Sequence, residues 1–346
     1  MREEQMLKNI LKIVLPFALG IAILWWMYRG TDWSDFWHNV CHEMNWGWML
    51  FSLIFGILPQ VFRALRWRQT LAPMGENARV RTSIDSIFVS YAASLVVPRI
   101  GEVMRCSTLK RMDGVSFSKS LGTVVTERIV DMLVMALFTL VALLTQLPTF
   151  VNFMETTGTS LDSILNRFTG TGYIVTLICG ITVVITLGIL FWRYKMFKKG
   201  KDILLEVKAG ILSLRNVDRV WLYLFYSLGI WVCYYLHFYL AFFSFDLTAG
   251  IPPMYGLLMF CVGTYAVLVP TPNGAGPWHF AVKTTIVIFF ADAVMAGQLA
   301  QDYVEAQAIM IALVIHTIET ALVVLLGAYG WADLNFIKRK DKEQNN

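Results

Sequence analysis

Apolar stretches long enough to cross a bilayer recur along the whole of this chain, and no other feature limits its fold so severely. A transmembrane helix needs about 20 mostly apolar residues to cover a hydrocarbon layer about 30 Å thick. Runs of that kind lie at Ile10 to Tyr28, Gly47 to Arg63, Leu121 to Leu147, Tyr173 to Trp192, Val220 to Phe243 and Ala306 to Leu326. With 57% hydrophobic and 15% charged residues, the chain cannot be a soluble domain, whose surface must stay wet. The sequence predicts an all-α polytopic membrane protein with about six full transmembrane helices.

Arg2 and Lys8 precede the first run as in a signal peptide, but Trp25, Trp26 and Tyr28 leave no small-residue cleavage pattern, so it reads as a membrane anchor. Cys41, Cys106, Cys179, Cys233 and Cys261 stand singly, which suits small hydrophobes and neither a metal site nor a disulfide.

Charge asymmetry orients the spans. Basic residues cluster at Arg63 to Arg81, at Arg99 to Arg111, at Lys195 to Arg219 and at Lys338 to Lys342, and the positive-inside rule makes these segments cytoplasmic. The connections holding Asp32, Asp35 and Glu43, then Glu155 and Asp162, then Asp292, Asp302 and Glu305 are poor in basic residues and face outward. Six spans then put both termini in the cytoplasm of a cytoplasmic (inner) membrane.

Two further apolar segments run into proline and glycine. Ser86 to Val97 has basic residues on both sides, so it dips in from the cytoplasm and returns; Met254 to Val269, ending at Pro270 to Pro277, dips in from outside. The chain thus reads as two half-repeats, residues 1–148 and 149–346, each holding a re-entrant helical hairpin and inverted relative to the other. Interrupted apolar segments at corresponding places in two halves point to a transporter's binding site. Between the halves, segment 194–219 carries Ile203, Leu204, Val207, Ile211 and Leu212 at helical spacing among basic residues, as a helix on cytoplasmic headgroups would.

Three motifs could carry chemistry. Pro98-Arg99-Ile100-Gly101-Glu102-Val103-Met104-Arg105 ends the first hairpin: proline stops the incoming helix, and Glu102 falls within reach of Arg99 and Arg105. The group is either a self-satisfied ion-pair cluster at the membrane edge or a phosphate-binding pair of guanidinium forks oriented by a carboxylate. Glu127-Arg128-Ile129-Val130-Asp131 lies inside an apolar span, where charges are expensive unless paired or hydrated and mark a functional site or a structural clamp. Pro270-Thr271-Pro272-Asn273-Gly274-Ala275-Gly276-Pro277-Trp278-His279 specifies a sharp turn whose following half-helix would offer free amides to an anion, with His279 as a donor or proton carrier or as a packed side chain. His316 and Glu319 form a weaker pair in the last span, and Arg63, Arg66, Trp67 and Arg68 read as headgroup anchors closing the second.

At these residues the sequence resembles the lysylphosphatidylglycerol synthase transmembrane-region family, over nearly the whole chain. The resemblance rests on Arg63-x-x-Arg66-Trp67, on Pro98-Arg99-x-Gly101-Glu102-x-x-Arg105, on Glu127-Arg128-x-x-Asp131, and on the family's Pro-Gly-Gly-x-Gly-x-x-Glu turn, matched by Pro272 to His279. Asn273 replaces the first glycine, and His279 stands where the family has glutamate. Members fused to a lysyl-transferase carry a large soluble domain, whereas only a short tail follows the last span here.

The resemblance implies movement of an anionic membrane lipid between leaflets, with Arg99, Glu102, Arg105, Glu127, Arg128, Asp131, Asn273, Gly274, Gly276 and His279 as substrate-binding residues. No Gly-x-x-x-x-Gly-Lys loop occurs in the sequence, so ATP hydrolysis is not expected; separately, neither a cofactor nor a nucleic-acid partner is expected. Two other functions fit the same residues. One is an intramembrane enzyme acting on lipid phosphates through Glu127, Asp131 and His279, and the other is a non-catalytic partner of a cell-envelope lipid synthase.

Overall fold

The computed structural model describes residues 18, 20–97, 100–146, 205, 217–269 and 271–344. The span from Tyr173 to Trp192, most of segment 194–219, the start of the first span, Pro98, Arg99 and Pro270 lie outside the described residues. Among the described residues all regular structure is helical: α1 (residues 20–28), α2 (Trp33–His38), α3 (Trp46–Leu71), α4 (Val80–Val96), α5 (Gly101–Asp113), α6 (Phe117–Thr145), α7 (Val220–Phe242), α8 (Pro253–Ala266), α9 (Pro277–Phe289), α10 (Ala291–Met295) and α11 (Gln301–Gln344).

Four of these helices, α3, α6, α7 and α11, are long and apolar enough to cross a membrane. They match the expected second, third, fifth and sixth spans, so the chain is an all-α polytopic membrane protein. Side-chain caps start two of them. Asn45 accepts from the amides of Gly47 and Trp48 at α3, and Ser116 accepts from Lys119 at α6. The last helix is longer than its apolar centre: its 44 residues reach about 66 Å at 1.5 Å per residue, so the Lys338 to Lys340 end extends past a 30 Å hydrocarbon layer.

The two interrupted segments are helical hairpins. Helix α5 folds back on α4 so closely that the Gly101 amide donates to Ser94 Oγ at 3.1 Å and a side chain at Gly101 would meet the Ser90 carbonyl. Likewise α9 returns along α8, with Tyr255 Oη donating to the Thr285 carbonyl at 3.4 Å. Long helix, hairpin, long helix is therefore an order that occurs twice, as α3, α4–α5, α6 and as α7, α8–α9, α11.

Because lipid tails are as apolar as leucine, helices in a membrane associate through close packing and interhelical polar contacts. Both are present. Gly330 of α11 lies against α4, where a Cβ would come within 2.9 Å of the Asp85 carbonyl oxygen. Two buried apolar clusters result: a larger one around α7, α8, α9 and α11, and a smaller one of Ala64, Trp67, Leu71, Ile87, Cys106, Leu109 and Val124 around α3 to α6.

Candidate functional site

The charged motifs of the first half meet beside the smaller cluster. On α3, Arg63, Arg66 and Trp67 sit at helical spacing on one buried face, and on α6, Thr123, Glu127 and Asp131 recur every fourth residue on the face opposite. Helix α5 adds Glu102 and Arg105 from its first turns. Arg63 Nη1 donates to Asp131 Oδ2 at 2.9 Å, and Arg66 Nη1 lies 2.8 Å from Asp131 Oδ1. Arg105 Nη2 lies 2.8 Å from both Glu102 Oε2 and Glu127 Oε2. Arg128 closes the ring, reaching Glu102 Oε1 at 2.9 Å and Asp131 Oδ2 at 3.5 Å.

Four guanidiniums thus face three carboxylates, and the cluster carries one excess positive charge. Trp67 fixes its floor: the indole Nε1 donates to Thr123 Oγ1 at 2.8 Å, and the Arg105 guanidinium lies over the ring at 4.6 Å. Several donors have no acceptor among the described residues, namely Arg63 Nε, Arg66 Nε and Nη2, and Arg105 Nη1, although all three side chains are almost completely buried. Arg128 differs, because its side chain is 43% exposed among Val125, Ile129 and Met132 on the outward face of α6. It forms a rim where the cluster opens toward lipid.

A polar seam continues from the cluster between α3 and α7. Arg66 Nη1 donates to Ser227 Oγ at 3.2 Å, Gln60 Nε2 to Tyr234 Oη at 3.0 Å, and His237 Nδ1 lies 3.0 Å from the Ser52 carbonyl. Tyr234 Oη also donates to Tyr91 Oη of α4 at 3.2 Å. Ser52, Gln60, Arg63, Arg66 and Thr70 are all buried along α3, and from Ser52 to Thr70 the helix rises about 27 Å, close to the full hydrocarbon depth.

The turn of the second half packs on α11 and touches α4. Asn273, Gly274 and Gly276 have φ of 53°, 70° and 91°, the left-handed region that glycine and asparagine tolerate best, which is why this turn needs those residues. Asn273 Nδ2 donates to Thr320 Oγ1 at 2.8 Å, and its carbonyl receives His316 Nε2 at 3.0 Å. The rings of His279 and His316 lie 4.3 Å apart, both buried.

The amides of the turn itself are engaged within it. Gly274 N donates to the Thr271 carbonyl, Ala275 N to the Pro272 carbonyl and Gly276 N to His279 Nδ1. With Nδ1 accepting, His279 works as a packed partner of its own turn. Among the described residues no hydrogen bond or ion pair joins this turn directly to Arg105, and Arg99 lies outside them.

Nine of the expected residues, then, fall into two groups. Glu102, Arg105, Glu127, Arg128 and Asp131 come together in one network, while Asn273, Gly274, Gly276 and His279 form a separate cluster with His316. Arg63 and Arg66, read from the sequence as headgroup anchors, are instead buried at the heart of the network. Their i, i+3 spacing with Trp67 at i+4 was the available signal, but a basic run at a span's end looks the same whether it snorkels or turns inward. Ser227, Tyr234 and Gln60 gave no signal, because isolated polar residues in apolar runs acquire meaning only from the helix that faces them. Among the described residues no group of three or more His, Cys, Asp or Glu side chains could hold a metal ion.

No curated protein and no solved structure matches the chain. The family model described as "Lysylphosphatidylglycerol synthase TM region" matches residues 13–327, a stretch that takes in the first helix–hairpin–helix unit, the second as far as the middle of α11, and every residue of the charge network. The chain belongs to the lysylphosphatidylglycerol synthase TM region family.

Proposed function

We propose that the protein moves an anionic lipid between the leaflets of the cytoplasmic membrane, holding the phosphate-bearing headgroup at the arginine cluster while the acyl chains stay in the bilayer. The carrying observation is the excess positive charge of the Arg63, Arg66, Arg105 and Arg128 group, in which the three buried guanidiniums keep donors unpaired among the described residues and Arg128 is half-exposed on an apolar helix face. Buried charge at this depth is costly without a purpose, and planar guanidiniums match phosphate oxygens. The seam of Ser227, Gln60, Tyr234 and His237 supplies polar partners along the remaining depth.

In this reading both termini are cytoplasmic, the two hairpins are re-entrant, and the halves divided near residue 148 are inverted repeats. The lengths support it: α8, with 14 residues, reaches about 21 Å, too short to cross a layer of about 30 Å. Hydrolysis of a lipid phosphate is less well supported, since Glu127 and Asp131 are each held by arginines and His279 belongs to the other cluster.

Reconstituted vesicles test the proposal. A fluorescent anionic phospholipid placed in one leaflet should become accessible in the other with its mass unchanged. Arg128→Gln, at the rim, should slow the movement about tenfold, the weight of one charge-assisted hydrogen bond of about 1.5 kcal/mol. Wild-type vesicles no faster than protein-free ones would refute it, and a lipid of altered mass would favour an enzyme.

A further inference from the structure

A separate group of carboxyls lies between α4 and α11, away from the arginine cluster. Asp85 is 1% exposed, yet no ion pair among the described residues reaches it and its Oδ2 has no hydrogen-bond donor. Its neighbour across the interface is Asp333, one turn after Gly330, which packs against the Asp85 backbone, and bound by Arg81, one turn before Asp85. Two carboxylates cannot bond to each other, because both only accept; a proton on one of them would give the pair a donor. Arg81, one turn before Asp85, does not relieve it, since Nε and Nη2 are both taken by the two oxygens of Asp333.

The other charged or titratable groups brought to this end of α4 are likewise engaged. Asp113 of α5 and Asp341 of α11 hold Arg79, Asp113 also accepts from Thr82, and Arg68 of α3 donates to the Ala78 carbonyl. Tyr329 of α11 lies near Arg81, and the turn at Asn273 that touches α4 brings no titratable side chain. Gly330 of α11 packs against the Asp85 backbone and holds the two helices close at this point.

We propose that Asp85 and Asp333 form a proton-binding site between α4 and α11, in which the two carboxyls share one proton. The charge balance is simple. Arg81, Asp85 and Asp333 sum to one negative charge, and one proton taken from solution brings the group to zero. The Arg81 side chain, 59% exposed, marks where solvent reaches the pair. Burial, and then the hydrogen bond to Asp333, push the Asp85 carboxyl above the usual carboxylate range. Releasing the proton sets two carboxylates side by side across the α4–α11 contact, so proton occupancy governs how firmly the arm that carries the α4–α5 hairpin is held. This inference stands apart from lipid movement and is tested without it.

Infrared difference spectra of the full chain in nanodiscs, recorded between about pH 5 and about pH 9, read the proton directly. Wild type should show the carbonyl stretch of a protonated carboxyl that disappears as pH rises, and Asp85→Asn should lack it while Glu127→Gln keeps it. A raised carboxyl pKa stabilises the folded state at low pH and loses that contribution as pH rises through the folded value. The melting temperature of wild type should therefore fall over that interval, and more steeply than that of Asp85→Asn. Asp333→Asn, which frees Arg81 for Asp85, should also lose the band and guards against a single variant that fails to fold. A wild-type protein with no protonated-carboxyl band, or a band that survives in both variants, would overturn the proposal.

Discussion

Asp131 is the residue on which the charge network depends most, and its removal is the sharpest perturbation available. It is the carboxylate to which Arg63 and Arg66 are bound, at 2.9 and 2.8 Å, and the three side chains are 5%, 3% and 0% exposed. Asp131→Ala leaves two guanidiniums buried without their counter-charge. Breaking a buried pair in this one-sided way costs about 3–5 kcal/mol, against about 1 kcal/mol or less for an exposed pair. Arg128→Ala, at the half-exposed rim, is therefore the internal control and should cost about 1 kcal/mol or less. The difference, at least about 2 kcal/mol, is a factor of roughly thirty or more in the ratio of folded to unfolded protein. Unfolding by denaturing detergent, followed by tryptophan fluorescence, measures both variants. A double-mutant cycle completes the test: Asp131→Asn with Arg63→Gln removes charge from both sides and should recover about 1–3 kcal/mol relative to the sum of the single substitutions. If Asp131→Ala is no less stable than Arg128→Ala, or if the double variant is simply additive, Asp131 does not neutralise the buried arginines and the account of the cluster fails.

Trp67→Phe removes the bond to Thr123 Oγ1 while keeping an aromatic face beneath Arg105, and should cost about 1–2 kcal/mol in the same unfolding assay. Gly101→Ala should prevent the α4–α5 hairpin from closing, because the added methyl would meet the Ser90 carbonyl, a backbone atom that cannot move aside; loss of a single species on detergent chromatography is the expected result, and normal elution would contradict the packing. Gly276→Ala combines a strained φ of 91° with a Cβ within 2.8 Å of Ile23, so it should lower the melting temperature more than Ala275→Ser. For orientation, a cysteine at Lys340 should react with an impermeant thiol reagent only from the cytoplasmic side, and one at Asp292 only from outside.

Membrane class and helix positions were legible in the sequence because a lipid bilayer imposes a rule that is local in the chain: every backbone polar group must be satisfied within its own helix, so each span announces itself as an apolar run of fixed length. The hairpins were legible for a related reason, since Pro98 and the Pro270 to Pro277 run stop helices wherever they occur. Glu102 with Arg105 and Glu127 with Asp131 stood out because charge inside an apolar run is rare. What the residues do to one another was not local. Arg63 and Arg66 look like surface anchors until α6 is laid against α3 and brings Asp131 between them, and the His279 ring spends its Nδ1 on Gly276 only because the left-handed turn folds that amide back upon it. Asp85 and Asp333, 248 positions apart in the chain, are a pair only because Gly330 lets α11 lie against α4. Sequence fixes which groups are costly to bury; the packing of helices decides which partner relieves each of them.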